Sequence, residues 1–197
     1  MVDEKHASVF MLRHGEVAGG SRYRGVTNDP LTSAGWRQMW DATRRIPLPE
    51  MVITSPLARC AEFAGAFARR HRLPLRIDAR FRELDFGAWE RRTADEIERL
   101  SPDALGDFYR NPWQFRPPGG EPLEAMWTRV QAAWREICSL QISALTVTHG
   151  GPMRVILCSV LRLAHEQLGQ IHVPHGSVYR ITIPFNCRAL LANTAAR

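Results

Sequence analysis

The chain has 197 residues, 45% apolar and 23% charged, with a formal charge of +6. A chain this long buries roughly 70% of the surface it exposes when unfolded, so a single domain over residues 1–197 needs no disulfide or metal staple. The composition excludes a disordered chain or an acidic solvating tail; the positive balance, all arginine apart from Lys5, leaves nucleic acid, an anionic membrane surface or a phosphorylated small molecule as partner classes, with much of the arginine excess read as proteome background.

The elements follow in alternation. Ser8–Leu12 is a compact apolar run that stops at Arg13-His14-Gly15, a strand running into a loop. Trp36, Met39, Trp40, Thr43 and Ile46 then recur at helical spacing until Pro47 and Pro49 end the pattern. Met51–Thr54 reads as a second strand, with Ser55-Pro56 as the N-cap and first position of a helix carrying Leu57, Cys60, Ala61, Ala64, Phe67 and Ala68 on one face. Pro74–Ile77 is a third short strand. Residues 80–118 are irregular and rich in aromatic residues and proline, with one helical stretch near Thr93–Leu100; a cap-like insertion over about 80–120 is expected. A helix follows, with Leu123, Met126, Trp127, Val130, Ala133, Trp134 and Ile137 as its apolar stripe. Ala144–Thr148 is another apolar strand ending in His149-Gly150, ahead of a helix with Pro152 near its start. Ser177–Ile183 and Arg188–Ala192 suggest a closing antiparallel hairpin about Pro184-Phe185-Asn186. Strand–helix alternation of this kind predicts a three-layer α/β/α sandwich: a mostly parallel sheet, a C-terminal antiparallel hairpin and a small helical cap.

The four cysteines, Cys60, Cys138, Cys158 and Cys187, lack paired spacing and are expected as buried thiols rather than bridges or zinc ligands. Met1–His6 is charged and has no apolar signal-peptide stretch, and the apolar run at Val155–Leu163 is too short to span a bilayer, so a reduced cytoplasmic setting is expected.

Two strands that each end in His-Gly carry the chemistry. In open α/β sheets ligands bind beyond the carboxyl ends of the strands, so His14 and His149 can share one crevice. Ser55, Pro56 and Arg59 follow a third strand end. Two histidines, two arginines (Arg13 and Arg59) and helix N-termini with free N–H groups match what a phosphate requires: fixed positive charge, forked donors and backbone amides.

The block Leu12-Arg13-His14-Gly15-Glu16 resembles the Arg-His-Gly signature of the histidine phosphatase superfamily, the phosphoglycerate-mutase-like proteins. The likeness continues in order through Tyr23-Arg24-Gly25, Asp29–Thr32 and Gly35, Ile53–Ala61, Arg82–Glu90, Gly119–Glu121 and Val147–Gly151. It implies that His14 is the nucleophile, that Arg13, Arg59 and His149 surround the phosphoryl oxygens, and that Glu83 protonates the leaving alkoxide and then deprotonates water. Phe81, Phe86 and Trp89 would give that carboxyl a partly apolar setting; a surface pairing of Glu83 with Arg80 or Arg82 is the plainer alternative from the residues alone. Gly150 and Arg24 are further expected substrate contacts, Arg24 because Val17 stands where many relatives have Thr or Ser and the Asn common a few positions later is missing from Val17–Ser21. Arg91 stands where a Gly is usual, which puts the local turn in question, and Asp85 is a candidate for orienting an arginine. His165, His172 and His175 lack metal-ligand spacing; His175 is the one with a chance of reaching the rim of the site.

The resemblance implies no cofactor and no metal. Within the superfamily the α-ribazole phosphatases are most alike, through Phe86–Glu90 and Trp113-Gln114 to Pro118-Gly119-Gly120-Glu121, and Trp113 and Phe115 are candidates to stack on a flat base. Broad-specificity sugar-phosphate phosphatases, fructose-2,6-bisphosphatase-like enzymes and phosphoglycerate mutases share the same catalytic set; the short chain favours hydrolysis over transfer. The expected partner is a phosphorylated small molecule, with no nucleic acid and no membrane, and a homodimer is compatible with the reading. A nucleic-acid-binding domain is disfavoured by dispersed arginines without a recognition motif, and a phosphopeptide binder by the presence of both His14 and Glu83.

Overall fold

The computed structural model describes residues 7–183. Five strands, β1 (Ala7–Arg13), β2 (Met51–Thr54), β3 (Leu75–Ile77), β4 (Ala144–Thr148) and β5 (Val178–Ile183), form one sheet in the order β3-β2-β4-β1-β5. All neighbouring pairs are parallel except β1 with β5. The second arm of the expected hairpin, Arg188–Ala192, lies outside the described residues; the first arm, β5, pairs antiparallel with β1.

The helices are α1 (Ser33–Thr43), α2 (Ala58–His71), α3 (Ala94–Leu100), α4 (Ala104–Arg110), α5 (Leu123–Leu140) and α6 (Gly150–Val160). The period-2 alternation of β1 sorts its side chains into two cores. Phe10 and Leu12 pack with Met39 of α1 and Phe63, Ala64 and Phe67 of α2, whereas Val9 and Met11 pack with Val130 and Ala133 of α5 and Met153 and Ile156 of α6. The sheet is buried on both faces, and each of the Val, Leu, Ile, Phe and Met side chains among these contributes about 1.5–3 kcal/mol of apolar burial. The three-layer α/β/α arrangement is the one that strand–helix alternation predicts.

Residues 79–110 hold the short 3₁₀ turns Ala79–Phe81 and Gly87–Trp89 followed by α3 and α4. This stretch hangs on the α5/α6 core through Phe81, Leu84, Trp89, Ile97, Leu105 and Phe108. Helix α3 opens with a capping box between Thr93 and Glu96. Helix α4 carries only two buried apolar positions, Leu105 and Phe108, which is too little periodicity to read in sequence. Among the described residues no helix is long and apolar enough to cross a membrane.

Candidate active site

The site is assembled by the order of the parallel strands. Strand β4 lies between β1 and β2, so the residues that follow all three emerge side by side at one edge of the sheet. The ladder runs one step beyond the strands: His14 N donates to Thr148 O at 3.0 Å and Ser55 N to Val147 O at 3.0 Å. Those bonds bring His14, His149 and Ser55 together. The His14 and His149 rings meet edge to face, 5.2 Å apart, and both residues are buried, at 5% and 0% exposure.

The tautomer of His14 follows from its neighbour. Its Nδ1 lies 2.8 Å from Gly15 O, and a carbonyl can only accept, so Nδ1 holds the proton and Nε2 keeps its lone pair. Burial first, then the nearby Arg59 and Arg13 cations and His175, hold His14 well below its ordinary pKa, although the bond to Gly15 O works the other way. Gly15 is required here by space: a Cβ would fall 2.2 Å from Gly35 O, where the loop crosses the start of α1.

His149 is fixed in the complementary way. Nε of Arg59 donates to its Nδ1 at 3.2 Å, so the neutral ring carries its proton on Nε2, which donates to Ser55 Oγ at 2.7 Å. The buried Cys60 thiol, its pKa raised by burial, sits 3.6 and 3.7 Å from the two ring nitrogens. Burial, then Arg59, His14 and Arg13, depress the pKa of His149 as well. The site therefore pairs two neutral imidazoles with two fixed cations.

Arg59 is completely buried on the first turn of α2. Its Nη1 donates to Thr27 O at 2.6 Å and its Nη2 to Gly25 O at 2.7 Å. Glu90 organises the same loop, accepting from the amides of Gly25, Val26, Thr27 and Phe86 at 2.8–3.1 Å, and also from the Thr27 hydroxyl. The α2 start differs from the expected Ser55-Pro56 cap: the helix begins at Ala58, whose amide donates to Asn28 Oδ1 at 2.7 Å, while Ser55 Oγ accepts from Leu57 N and faces His149. Ser55 is thus drawn away from capping by the buried imidazole. Glu90 and Ser55 belong to motif blocks in the sequence and Asn28 to none, yet no local pattern announces their roles in the site, because His149 for Ser55, Gly25–Thr27 for Glu90 and Ala58 for Asn28 are distant along the chain.

Arg13 uses Nη1 on Val173 O and Nη2 on His175 Nε2, at 2.9 Å, while its buried Nε has no hydrogen-bond partner. Glu83 faces the start of α6: both carboxylate oxygens accept from Gly151 N at 3.1 Å, and Oε1 also accepts from Leu84 N at 3.0 Å. A Cβ on Gly151 would lie 2.1 Å from Glu83 Oε1, and one on Gly150 2.9 Å from an Arg154 nitrogen and 3.5 Å from the Arg13 guanidinium carbon. Neither neighbouring arginine pairs with Glu83, since Arg80 binds Asp78 and Glu136 and Arg82 donates to Ala79 O. The hydrogen bonds that position Glu83 come from the backbone amides of Leu84 and Gly151.

Other expectations sort clearly. All three guanidinium nitrogens of Arg24 are engaged, by Asp29 and by the carbonyls of Ala18, Gly20 and Arg22, so this side chain braces its own loop. Asp85 accepts from Gly87 N at 2.8 Å instead of orienting an arginine. Arg91 takes φ +65°, keeping the turn that a glycine would make easily. Trp113 stacks on His165, ring centroids 4.9 Å apart, and meets Trp127 edge-on at 5.6 Å, while Phe115 is exposed. The three cysteines among the described residues, Cys60, Cys138 and Cys158, are buried, and none of the described His, Cys, Asp or Glu groups forms a cluster of three suited to a metal ion.

A neutral imidazole with a free Nε2 lone pair, the buried guanidinium of Arg59, the half-buried guanidinium of Arg13 and a carboxyl group at a helix N-terminus, all beyond the carboxyl ends of parallel strands, make a site for a tetrahedral oxyanion. The chain belongs to the histidine phosphatase superfamily (branch 1), whose profile matches residues 9–193. Among curated relatives, Bifunctional protein Rv2228c of Mycobacterium tuberculosis is 32% identical over 178 residues, covering 86% of this chain and 48% of that protein. The chain thus spans about half the length of the curated relatives it matches there. Mycobacterial glucosyl-3-phosphoglycerate phosphatase Rv2419c shares the fold with a TM-score of 0.81 over 90% of each chain at 23% identity. The alpha-ribazole phosphatase of Shigella flexneri does so with a TM-score of 0.78, over 88% of this chain and 89% of that one, also at 23% identity.

Proposed function

We propose that this chain is a metal-independent phosphomonoester hydrolase that works through a phosphohistidine on His14, with α-ribazole 5′-phosphate as its substrate. The observation that carries the reading is the bond from His14 Nδ1 to Gly15 O, which leaves Nε2 unprotonated on the residue next to Arg13, whose buried Nε is unpartnered. In the first step Glu83, having taken up a proton from solvent before the reaction, acts as the acid: Nε2 attacks phosphorus, the P–O bond to the leaving group breaks, and the Glu83 carboxyl gives its proton to the departing alkoxide. In the second, Glu83 takes a proton from water, the hydroxide attacks phosphorus, and the P–N bond breaks to release inorganic phosphate and restore His14. Arg13 and Arg59 supply the fixed positive charge that the equatorial oxygens need, with Gly150 at the start of α6 beside them. His149 Nε2–H, held by Ser55, is the donor that would turn to a phosphoryl oxygen.

Support for the α-ribazole substrate is the likeness of Phe86–Glu90 and Trp113–Glu121 to the α-ribazole phosphatases, together with the exposed ring of Phe115. A broad-specificity phosphatase acting on small sugar or sugar-acid phosphates is the second reading, favoured by one observation: Trp113 already stacks on His165 and packs against Trp127, which removes one expected base platform.

Two measurements test these readings. His14→Ala is expected to abolish turnover of p-nitrophenyl phosphate and the acid-labile phosphoenzyme together; surviving turnover removes His14 as nucleophile. A kinetic panel of α-ribazole phosphate, 3-phosphoglycerate and fructose bisphosphates is expected to favour the first, and a preference for either of the others discards the α-ribazole reading.

A further inference from the structure

The turn Val173–Ser177 closes directly on the strand end that carries Arg13 and His14. Arg13 N donates to Ser177 O at 3.0 Å, Gly176 N to His14 O at 3.1 Å, and Ser177 N to Pro174 O at 3.1 Å. Gly176, at φ +68°, passes so near Gln38 of α1 that a Cβ would lie 2.9 Å from the Gln38 Cβ. The turn is wedged between β1 and α1 and presents His175 to the site, its ring centroid 5.2 Å from that of His14.

A guanidinium can only donate, so the 2.9 Å contact between Arg13 Nη2 and His175 Nε2 makes His175 the acceptor. Nη1 of Arg13 is held by Val173 O on the same turn. With both Nη groups of a planar fork tethered, the direction of the third donor is set, and that donor, Nε–H, is the buried nitrogen without a partner. We propose that His175 is a positioning residue for Arg13: by accepting from Nη2 it fixes the roll of the guanidinium so that Nε–H addresses the phosphoryl group bound at His14. This deepens, and rests on, the phosphatase reading of the same site.

The role requires a neutral His175, because a protonated ring offers Arg13 no acceptor. The surroundings supply that condition. Burial and then Arg13 of β1 push its pKa down to about 4; Arg24 and Arg59 act in the same direction, His14 lies alongside, and Glu16 opposes them.

Two substitutions separate acceptor chemistry from ring packing. His175→Phe keeps a ring against His14 and removes the acceptor; His175→Gln removes the ring and restores an acceptor at about the distance of Nε2. The probes are hydrolysis of p-nitrophenyl phosphate and inhibition by inorganic phosphate. H175F is expected to raise KM and the phosphate inhibition constant about tenfold, the scale of one charge-assisted hydrogen bond, with kcat within about threefold. H175Q is expected to stay within about twofold of the parent in all three. Equal weakening of both variants, or no weakening of H175F, overturns the proposal. His175 keeps part of its surface open to solvent although its ring is partly covered by the site, so both variants are expected to unfold within about 2 °C of the parent; a large drop shared by both would make the residue a structural support and likewise overturn the proposal. If the parent hydrolyses no phosphate ester, the phosphatase reading fails by itself, and calorimetric phosphate binding to the same three proteins still decides the role of His175.

Discussion

Gly151→Ala probes the link between Glu83 and the start of α6 most directly. The new Cβ would stand 2.1 Å from Glu83 Oε1 and 3.1 Å from Met126 Sδ, whereas ordinary contact begins near 3.4 Å. Glu83 must therefore retreat by about 1.3 Å, giving up its bonds to Gly151 N, while the backbone of α6 stays in place. Misplacing a reacting group by about 1 Å can cost on the order of 100-fold in rate. The loss should depend on the leaving group. An alkyl phosphate needs its alkoxide protonated as the P–O bond breaks, so kcat/KM is expected to fall about 100-fold. p-Nitrophenolate leaves without that proton, so its ester is expected to lose about tenfold or less. The assay is steady-state hydrolysis of a matched pair of alkyl and aryl phosphates by the parent and the variant, with thermal unfolding as the control for folding. Equal losses on the two esters, or full activity on both, would refute the placement of Glu83 as the proton donor.

Arg59→Lys is expected to lower stability by about 3–5 kcal/mol, since one ammonium cannot serve Thr27 O, Gly25 O and His149 Nδ1 together; a fall in Tm of about 10 °C by calorimetry checks it, and a shift below 2 °C denies Arg59 its bracing role. His14 and His149 remain neutral in the fold at pH values where unfolded histidine takes up protons, so stability is expected to be level above about pH 6.5 and to fall below it by about 1.4 kcal/mol per pH unit for each ring, down to its folded pKa. Urea titrations at pH 7.5, 6 and 5 measure that slope, and a flat profile contradicts the buried neutral pair. The same depression keeps Nε2 of His14 available in mild acid, so the acid limb of kcat/KM assigned to the nucleophile is expected well below pH 6.5. Turnover of p-nitrophenyl phosphate is expected to persist in excess EDTA, and its loss there would overturn the metal-free mechanism.

Much of this site is legible from local pattern. An apolar run that stops at a polar His-Gly marks a strand end, and residues one or two steps beyond it are confined to the loop at that edge, so the placement of Arg13, His14, His149 and Arg59 follows from period and punctuation. The five strands of the sheet and five of the six α-helices, all but α4, obey the same short-range rules. What the pattern cannot carry is pairing across distance. The neighbouring of β1, β4 and β2 and the register that sets Arg13 opposite Thr148 arise from pairing between segments far apart in sequence, Arg13 with Thr148 and Met51 with Ala144. Arg24 shows the consequence: its charge suggested a phosphate contact, and only the folded loop reveals that Asp29 and three carbonyls have claimed it.

By itself, then, the sequence determined the layer architecture, the superfamily and the residues at the strand ends, because each depends on periodicity, turn chemistry or an ordered set of short motifs. Only the tertiary structure decided which protons those residues hold and which donors they leave free. Ser55 became a partner of His149 rather than a helix cap, Glu83 met the amides of Leu84 and Gly151, and His175 came to hold Arg13. Each of those outcomes rests on a side chain finding, in a crowded interior, a complementary donor or acceptor that no local spacing encodes.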